Sequence, residues 1–273
     1  MVLNIAHRGA RSLAPENTLS AAKKALEAGA DLWETDVGVS SDGVLILMHD
    51  DSLVRTTDAA VVFPERSPWT FTTFSFAELR NLDAGSWFQQ TDPFGQIAAG
   101  TVSPKDLASY HNETIPTLEE ALRFTRDANW RVNIELKNLP SPMQDFPVVE
   151  RVLDLIETLN IDPQQLVLSS FNHDWLHKIE NLRPDIAVQA VIGFSPVRPL
   201  DWGDLVFKTY NARHTLLKAQ TVTELTAKGV RLNVWTVNAR KDIDRFLAAG
   251  VSGIFTDFPQ NLAPILDTHA AKT

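Results

Sequence analysis

Residues 32–39 read LWETDVGV. At a strand's period of two this stretch has two faces, Trp33, Thr35 and Val37 on one and Glu34 with Asp36 on the other. With the apolar face packed on helices, both acids enter the interior of a barrel, where unpaired charge is too costly to leave without a cation. Residues 132–137, VNIELK, repeat the pattern: Val132, Ile134 and Leu136 share one face, Asn133, Glu135 and Lys137 the other. A third carboxylate is thus expected beside the first two, near the C-terminal end of its strand.

Outward from these two runs the chain continues in the same alternation. Strand-like segments recur as LNIAH (3–7), LVLSSF (166–171), AVQAVIG (187–193), LVFKTY (205–210), RLNVWTV (231–237) and GIFTD (253–257). Helical stretches such as VTELTAKG and DIDRFLAAG separate them. Residues 18–28 form a short amphipathic helix capped by Asn17 and stopped at Gly29, and residues 117–125 behave similarly. Alternating β and α units with right-handed crossovers make an open doubly wound sheet or a closed barrel, and a count of eight strands selects the (β/α)8 TIM barrel. Residues 52–113 break the rhythm, with Phe63, Trp69, Phe71, Phe74, Phe76, Trp87, Phe88, Phe94 and Tyr110 among prolines and glycines. This is too apolar for a disordered linker. It is expected to be a lobe inserted after strand 2, within one domain spanning 1–273. Its aromatics either pack on one another or lie against the barrel mouth and shape a groove. The tail HAAKT (269–273) reads as frayed.

The 273 residues, 44% of them hydrophobic, can bury a full core. A formal net charge of −9 argues against a general nucleic-acid or anionic-membrane surface, so an anionic ligand must be met by local positive charge. Without cysteine there is no disulfide framework, thiolate nucleophile or zinc-thiolate site. The opening MVLNIAHRG has no basic leader, and no later run approaches membrane-spanning length; a cytoplasmic protein without stable membrane insertion is expected.

Three carboxylates and no thiol suit one hard divalent cation, Mg²⁺ or Ca²⁺, better than zinc. The other arrangement open to Glu34, Asp36 and Glu135 is a buried ion-pair network with Arg8 and Lys137. His7 ends the first strand, and His49 ends the apolar run GVLILMHDD (43–51), so both can reach the same mouth. Two histidines beside such a cluster can divide acid and base roles near neutral pH. Arg8 and Lys137 then either neutralise the acids or, with a metal, hold a phosphate.

The whole series, HRG followed by PENT, E-x-D, DG, HD-x-x-L-x-R-T, LDAGSWF, IPTLEEAL, NIELK, LNVWTVN and IFTDFP, resembles the glycerophosphodiester phosphodiesterase family and spans nearly the whole chain. The resemblance implies the same barrel with an insertion after strand 2. It also implies a divalent metal and hydrolysis of a small glycerophosphodiester to sn-glycerol 3-phosphate and an alcohol. By it, Glu34, Asp36 and Glu135 match the metal ligands, His7 and His49 the acid/base pair, Arg8 the phosphate-binding arginine and Lys137 the lysine near the phosphate. Trp235 looks like the family's aromatic wall beside the substrate, although a core role is equally open to it. Asp50 and Arg55 are expected to fix their loop, and Glu16 with Asn17 to shape the first turn. Gly38 and Ser40–Ser41 depart from a bulkier run, and the Gly-rich stretch after R-T-T is missing, which bears on substrate preference and lobe shape. Related readings are a phosphodiesterase acting on lysophospholipids and a catalytically silent barrel that binds phosphodiesters or metal. A third is an acidic-metal barrel of another kind, such as an aldolase or enolising lyase.

Overall fold

A computed structural model describes residues 1–271. Its strands are β1 (Leu3–Ala6), β2 (Leu32–Val39), β3 (Leu45–Leu47), β4 (Val132–Leu136), β5 (Leu166–Ser170), β6 (Ala187–Ile192), β7 (Thr209–Arg213), β8 (Arg231–Trp235) and β9 (Gly253–Thr256). All but β3 run parallel, in the order β1-β2-β4-β5-β6-β7-β8-β9, and the β9–β1 pairing closes the ring. β3 folds back antiparallel on β2, with Val39 opposite Leu45. The eight-stranded parallel barrel read from the alternation is therefore the fold.

The two faces of LWETDVGV separate as a period of two requires. Trp33 points out under the helix Leu118–Asp127, where its Nε1–H donates to Thr125 Oγ1 at 3.0 Å. That helix starts from a capping box in which Thr117 and Glu120 each bond the other's backbone N–H. Between strands and helices lies the main core, including Trp33, Ile134, Leu168, Tyr210, Phe246 and Ile254, all almost completely buried. Each such aliphatic or aromatic side chain contributes roughly 1.5–3 kcal/mol by leaving water. Inside the barrel a smaller cluster of Ile5, Leu32, Val167 and Phe255 fills the floor beneath the mouth.

The helix Leu19–Glu27 is capped by Thr18, whose side chain accepts from Ala21 N–H, and not by Asn17. Asn17 sits at a φ of +55° and turns its amide to β2 instead. The strand expected at LVFKTY lies further along, at Thr209–Arg213; Leu205 has a φ of +54° in the preceding turn, and Phe207 packs into the core beside Tyr210. At the C-terminus the last helix runs through Ala270, where the sequence suggests fraying, while residues 272–273 of that tail lie outside the described residues.

Residues 52–113 fold into short helices with their own contacts. Phe63 meets Phe74 edge-on at 5.4 Å, and Phe88 meets Tyr110 at 5.8 Å, over Ala14 and Ala21. Phe71 lies on β2: a Cβ added at Gly38 would come within 2.9 Å of its ring. Gly38 thereby makes the space that the lobe's phenylalanine fills. Among the described residues no helix is long and apolar enough to cross a membrane.

Candidate active site

Three registers bring distant residues together at the C-terminal ends of the strands. β2 and β4 pair Asp36 with Glu135, and Glu34 lies one pleat below. β1 and β2 pair Ala6 with Trp33, which sets the next residues, His7 and Glu34, side by side. β1 and β9 pair Ala6 with Thr256, which sets His7 beside Asp257. Carboxylate oxygens of Glu34, Asp36 and Glu135 all fall within 4.8 Å of one another.

Glu34 and Asp36 are buried and Glu135 is half-buried, and the three are unequally balanced. Asp36 accepts from Asn17 Nδ2 at 2.9 Å and lies 3.4 Å from Arg8 Nε and 3.5 Å from Lys137 Nζ. Despite its burial, Lys137, His49 and Arg8 hold its carboxyl well below the usual carboxylate range. Glu34 accepts the Arg8 backbone N–H at 2.8 Å. Burial, with Asp36 and Glu135 beside it, pushes Glu34 well above its ordinary value, and burial with Asp36 pushes Glu135 up to about 7. Arg8 and Lys137 thus balance part of this charge and leave an oxygen-lined cluster short of positive charge. Its donor set of carboxylates without thiolate or imidazole suits a hard divalent cation such as Mg²⁺ or Ca²⁺.

Each histidine has its own aspartate. His7 Nδ1 lies 2.7 Å from Asp257 Oδ1, and Asp257 is braced by Asn238 Nδ2 at 2.7 Å. Burial, helped by the Arg8 guanidinium, lowers the His7 imidazole to about 4, although the Asp257 hydrogen bond pulls the other way. A neutral ring beside an ionised Asp257 carries its proton on Nδ1 and keeps Nε2 as an acceptor. His49 Nδ1 lies 2.6 Å from Asp50 Oδ1, and Asp50 is held in turn by Arg55 Nε at 2.5 Å. Asp50 and Arg55 fix the loop and, through Asp50, the ring.

Arg8 occupies a φ of +56°, followed by Gly9 at +79°, where a Cβ would lie 2.6 Å from Ala21. The HRG turn therefore needs its glycine to pass under the first helix. Glu16, a buried carboxylate, accepts from Arg8 Nη1 at 2.8 Å and Arg55 Nη1 at 2.9 Å and pairs with Arg11 Nη2 at 2.9 Å. It is the anchor between the HRG loop and the inserted lobe, a larger part than the turn-shaping read from PENT. Lys137 donates to the His49 carbonyl at 2.8 Å, which ties β4 to the second histidine loop.

His7, Arg8, Glu34, Asp36, His49, Glu135, Lys137 and Trp235 all line one cavity of about 900 Å³. Its aromatic wall comes from Phe171, Phe194, Trp235 and Phe255; the aromatics of the inserted lobe line none of it. Trp235 meets Phe171 edge-on at 5.8 Å and donates from Nε1 to the Asn211 carbonyl at 3.0 Å. Sequence reasoning passed over Asp257, Asn238 and Arg213. For Asp257 a signal existed, an acid ending the last strand of a ring whose neighbour is the strand that carries His7.

A profile of the glycerophosphoryl diester phosphodiesterase family matches residues 7–261. A glycerophosphodiester phosphodiesterase of Caldanaerobacter subterraneus subsp. tengcongensis is 32% identical over 263 residues, 95% of this chain and 96% of that protein. Mouse glycerophosphoinositol inositolphosphodiesterase GDPD2 is 43% identical over 165 residues, 60% of this chain; that match spans 30% of the mouse protein. Among solved structures, an Oleispira antarctica phosphodiesterase in complex with the product sn-glycerol-3-phosphate superposes with a TM-score of 0.76 at 27% identity, covering 96% of each chain.

Proposed function

This chain belongs to the glycerophosphoryl diester phosphodiesterase family, and from that premise we propose how its residues cleave a glycerophosphodiester to sn-glycerol 3-phosphate and an alcohol. The observation that carries the reading is the meeting of three clustered carboxylates, two of them buried, with two aspartate-paired histidines around one cavity.

Glu34, Asp36 and Glu135 would hold one divalent cation, Mg²⁺ or Ca²⁺. When bound, it supplies positive charge against the phosphoryl oxygens. Arg8 and Lys137 add fixed positive charge at the same end of the cavity, Arg8 kept in place by Glu16 and Lys137 by the His49 carbonyl. His7 is neutral at pH 7, with Nδ1 occupied by Asp257 and Nε2 available to take the proton of the attacking hydroxyl. His49, oriented by Asp50, gives a proton to the departing alkoxide as the P–O bond breaks. The attacking group is water or the neighbouring glycerol hydroxyl; the latter forms a cyclic phosphate that water then opens, and ¹⁸O-labelled water separates the two. Trp235 forms the wall beside the organic part of the substrate. A cytoplasmic setting, without nucleic-acid partners, belongs to the same reading.

Incubation with glycerophosphocholine, glycerophosphoethanolamine and glycerophosphoinositol, with and without EDTA, tests it. Release of glycerol 3-phosphate that EDTA abolishes and Mg²⁺ or Ca²⁺ restores is expected; no release from any of them refutes the activity. A lysophospholipid substrate is a second reading, favoured by Phe194, which is 79% exposed at the cavity rim and packs on Phe171 at 5.5 Å. Head-alcohol release from lysophospholipid micelles would support it.

A further inference from the structure

The side of the mouth built by β5 to β8 holds a cation that the mechanism above does not use. Arg213 ends β7 and Trp235 ends β8; they are register partners, and both line the cavity. The guanidinium lies over the Trp235 ring, 4.3 Å from its centroid. Its Nε and Nη2 donate to the carbonyls of Gly193 and Phe194. Among the described residues no carboxylate pairs with Arg213, whereas Arg8, Arg11 and Arg55 share Glu16. The close fit depends on glycine at 193: its φ is +92°, and a Cβ there would stand 2.6 Å from the Arg213 Cβ.

A second polar side chain lines the same space. Asn211, two residues earlier on β7, is 1% exposed and lines the cavity. Its Oδ1 accepts from Asn233 Nδ2 at 2.9 Å, while its Nδ2 has no acceptor among the described residues. A buried amide donor without a partner is costly, so the side chain gains by turning toward a ligand oxygen in the cavity.

Resting on the phosphodiesterase reading, we propose that Arg213 is a specificity-determining residue: with Asn211 it forms the subsite for the substrate's head alcohol, accepting a hydroxyl-rich or anionic group and turning away a quaternary ammonium. Phe171, Phe194 and Trp235 alone would offer π faces that attract such a cation. With a fixed guanidinium over Trp235, a second positive charge meets repulsion there. Hydroxyl or carboxylate oxygens meet free N–H groups instead.

The test compares kcat/KM for glycerophosphoinositol and glycerophosphocholine in the wild type and in Arg213→Gln, with circular dichroism as the fold control. The wild type should favour the inositol ester, and Arg213→Gln should move the ratio toward choline by about tenfold or more. Arg213→Lys, which keeps the charge, should retain most of the preference. An unchanged ratio in Arg213→Gln overturns the proposal, as does an equal loss on both diesters, which would place the subsite around the shared glycerol. If neither diester is cleaved, the activity reading fails on its own, and calorimetric titration of the same two compounds decides the subsite. Tighter binding of the inositol ester that Arg213→Gln loses supports it; equal binding, or none, overturns it.

Discussion

Strands β1, β2 and β4 bring His7, Glu34, Asp36, Glu135 and Lys137 to the mouth of the barrel, while β5 to β8 bring Phe171, Val191, Arg213 and Trp235. Both sets arise from the same alternation of side chains along parallel strands, yet they are held differently. On the first side nearly every charged group has a fixed partner: Asp257 for His7, Asp50 for His49, Asn17 for Asp36. The second side is rings in edge contact and one guanidinium that no carboxylate among the described residues pairs. Fixed dipoles and charges suit the stabilisation of a charged transition state, and rings with a lone cation suit selection among substrates. Substitutions on the first side should therefore lower kcat, and those on the second should act on KM and on preference.

The severest break comes from the imidazoles. His7→Ala or His49→Ala should lower kcat by roughly 10²–10⁴ with an unaltered circular dichroism spectrum; steady-state rates near those of the wild type would end the division of labour. Asp257→Asn should cost less, on the order of tens to a hundredfold in kcat, by releasing the His7 ring. It should also move the acidic limb of the pH profile down, because the Asp257 hydrogen bond and charge raise the His7 pKa; a purely structural aspartate would leave that limb in place.

Protonation gives a third contrast, read in stability. The folded His7 takes its proton only near pH 4, against 6.5 for the ordinary imidazole. Between those values the unfolded chain binds the His7 proton and the folded one does not, so the His7 contribution to stability is lost as pH falls from about 6.5 to about 4, by roughly 3 kcal/mol in all, while the raised Glu34 and Glu135 contribute with the opposite sign. In denaturant titrations the stability of wild type relative to His7→Gln should fall by this slope over that range; parallel curves would refute it. Smallest is Trp235→Leu, expected to raise KM several-fold and to change kcat by less than about threefold; a larger fall in kcat would bring the aromatic side into the chemistry.

What the sequence disclosed follows the same line. Glu34, Asp36 and Glu135 were legible because a period of two fixes which side chains share a face, and that rule needs only a few neighbouring residues. Asp257 was not singled out, since its partner lies 250 positions away and becomes a neighbour only through the β9–β1 pairing. Arg213 escaped for a nearer reason. The apolar letters Leu205 to Phe207 drew the strand about four residues too early, which left Arg213 outside it, although those residues form a turn and a core contact. The cap was misplaced by one because Asn ranks above Thr as a cap by type, whereas Asn17, at a positive φ, turns its amide to β2 and leaves Thr18 to cap. For the lobe, composition announced burial without direction; the small Gly38 was the one letter that marked where Phe71 would land.

The pairing of the first strand with the last has a consequence for how the molecule is made. A polypeptide emerging from the ribosome already carries both imidazoles and all three clustered acids after half its length, yet His7 lacks its aspartate until the final segment docks. On the proposed mechanism the first imidazole is oriented only once the ring closes, so a copy that ends before the last strand should be impaired at least as much as one that lacks the Asp257 carboxylate.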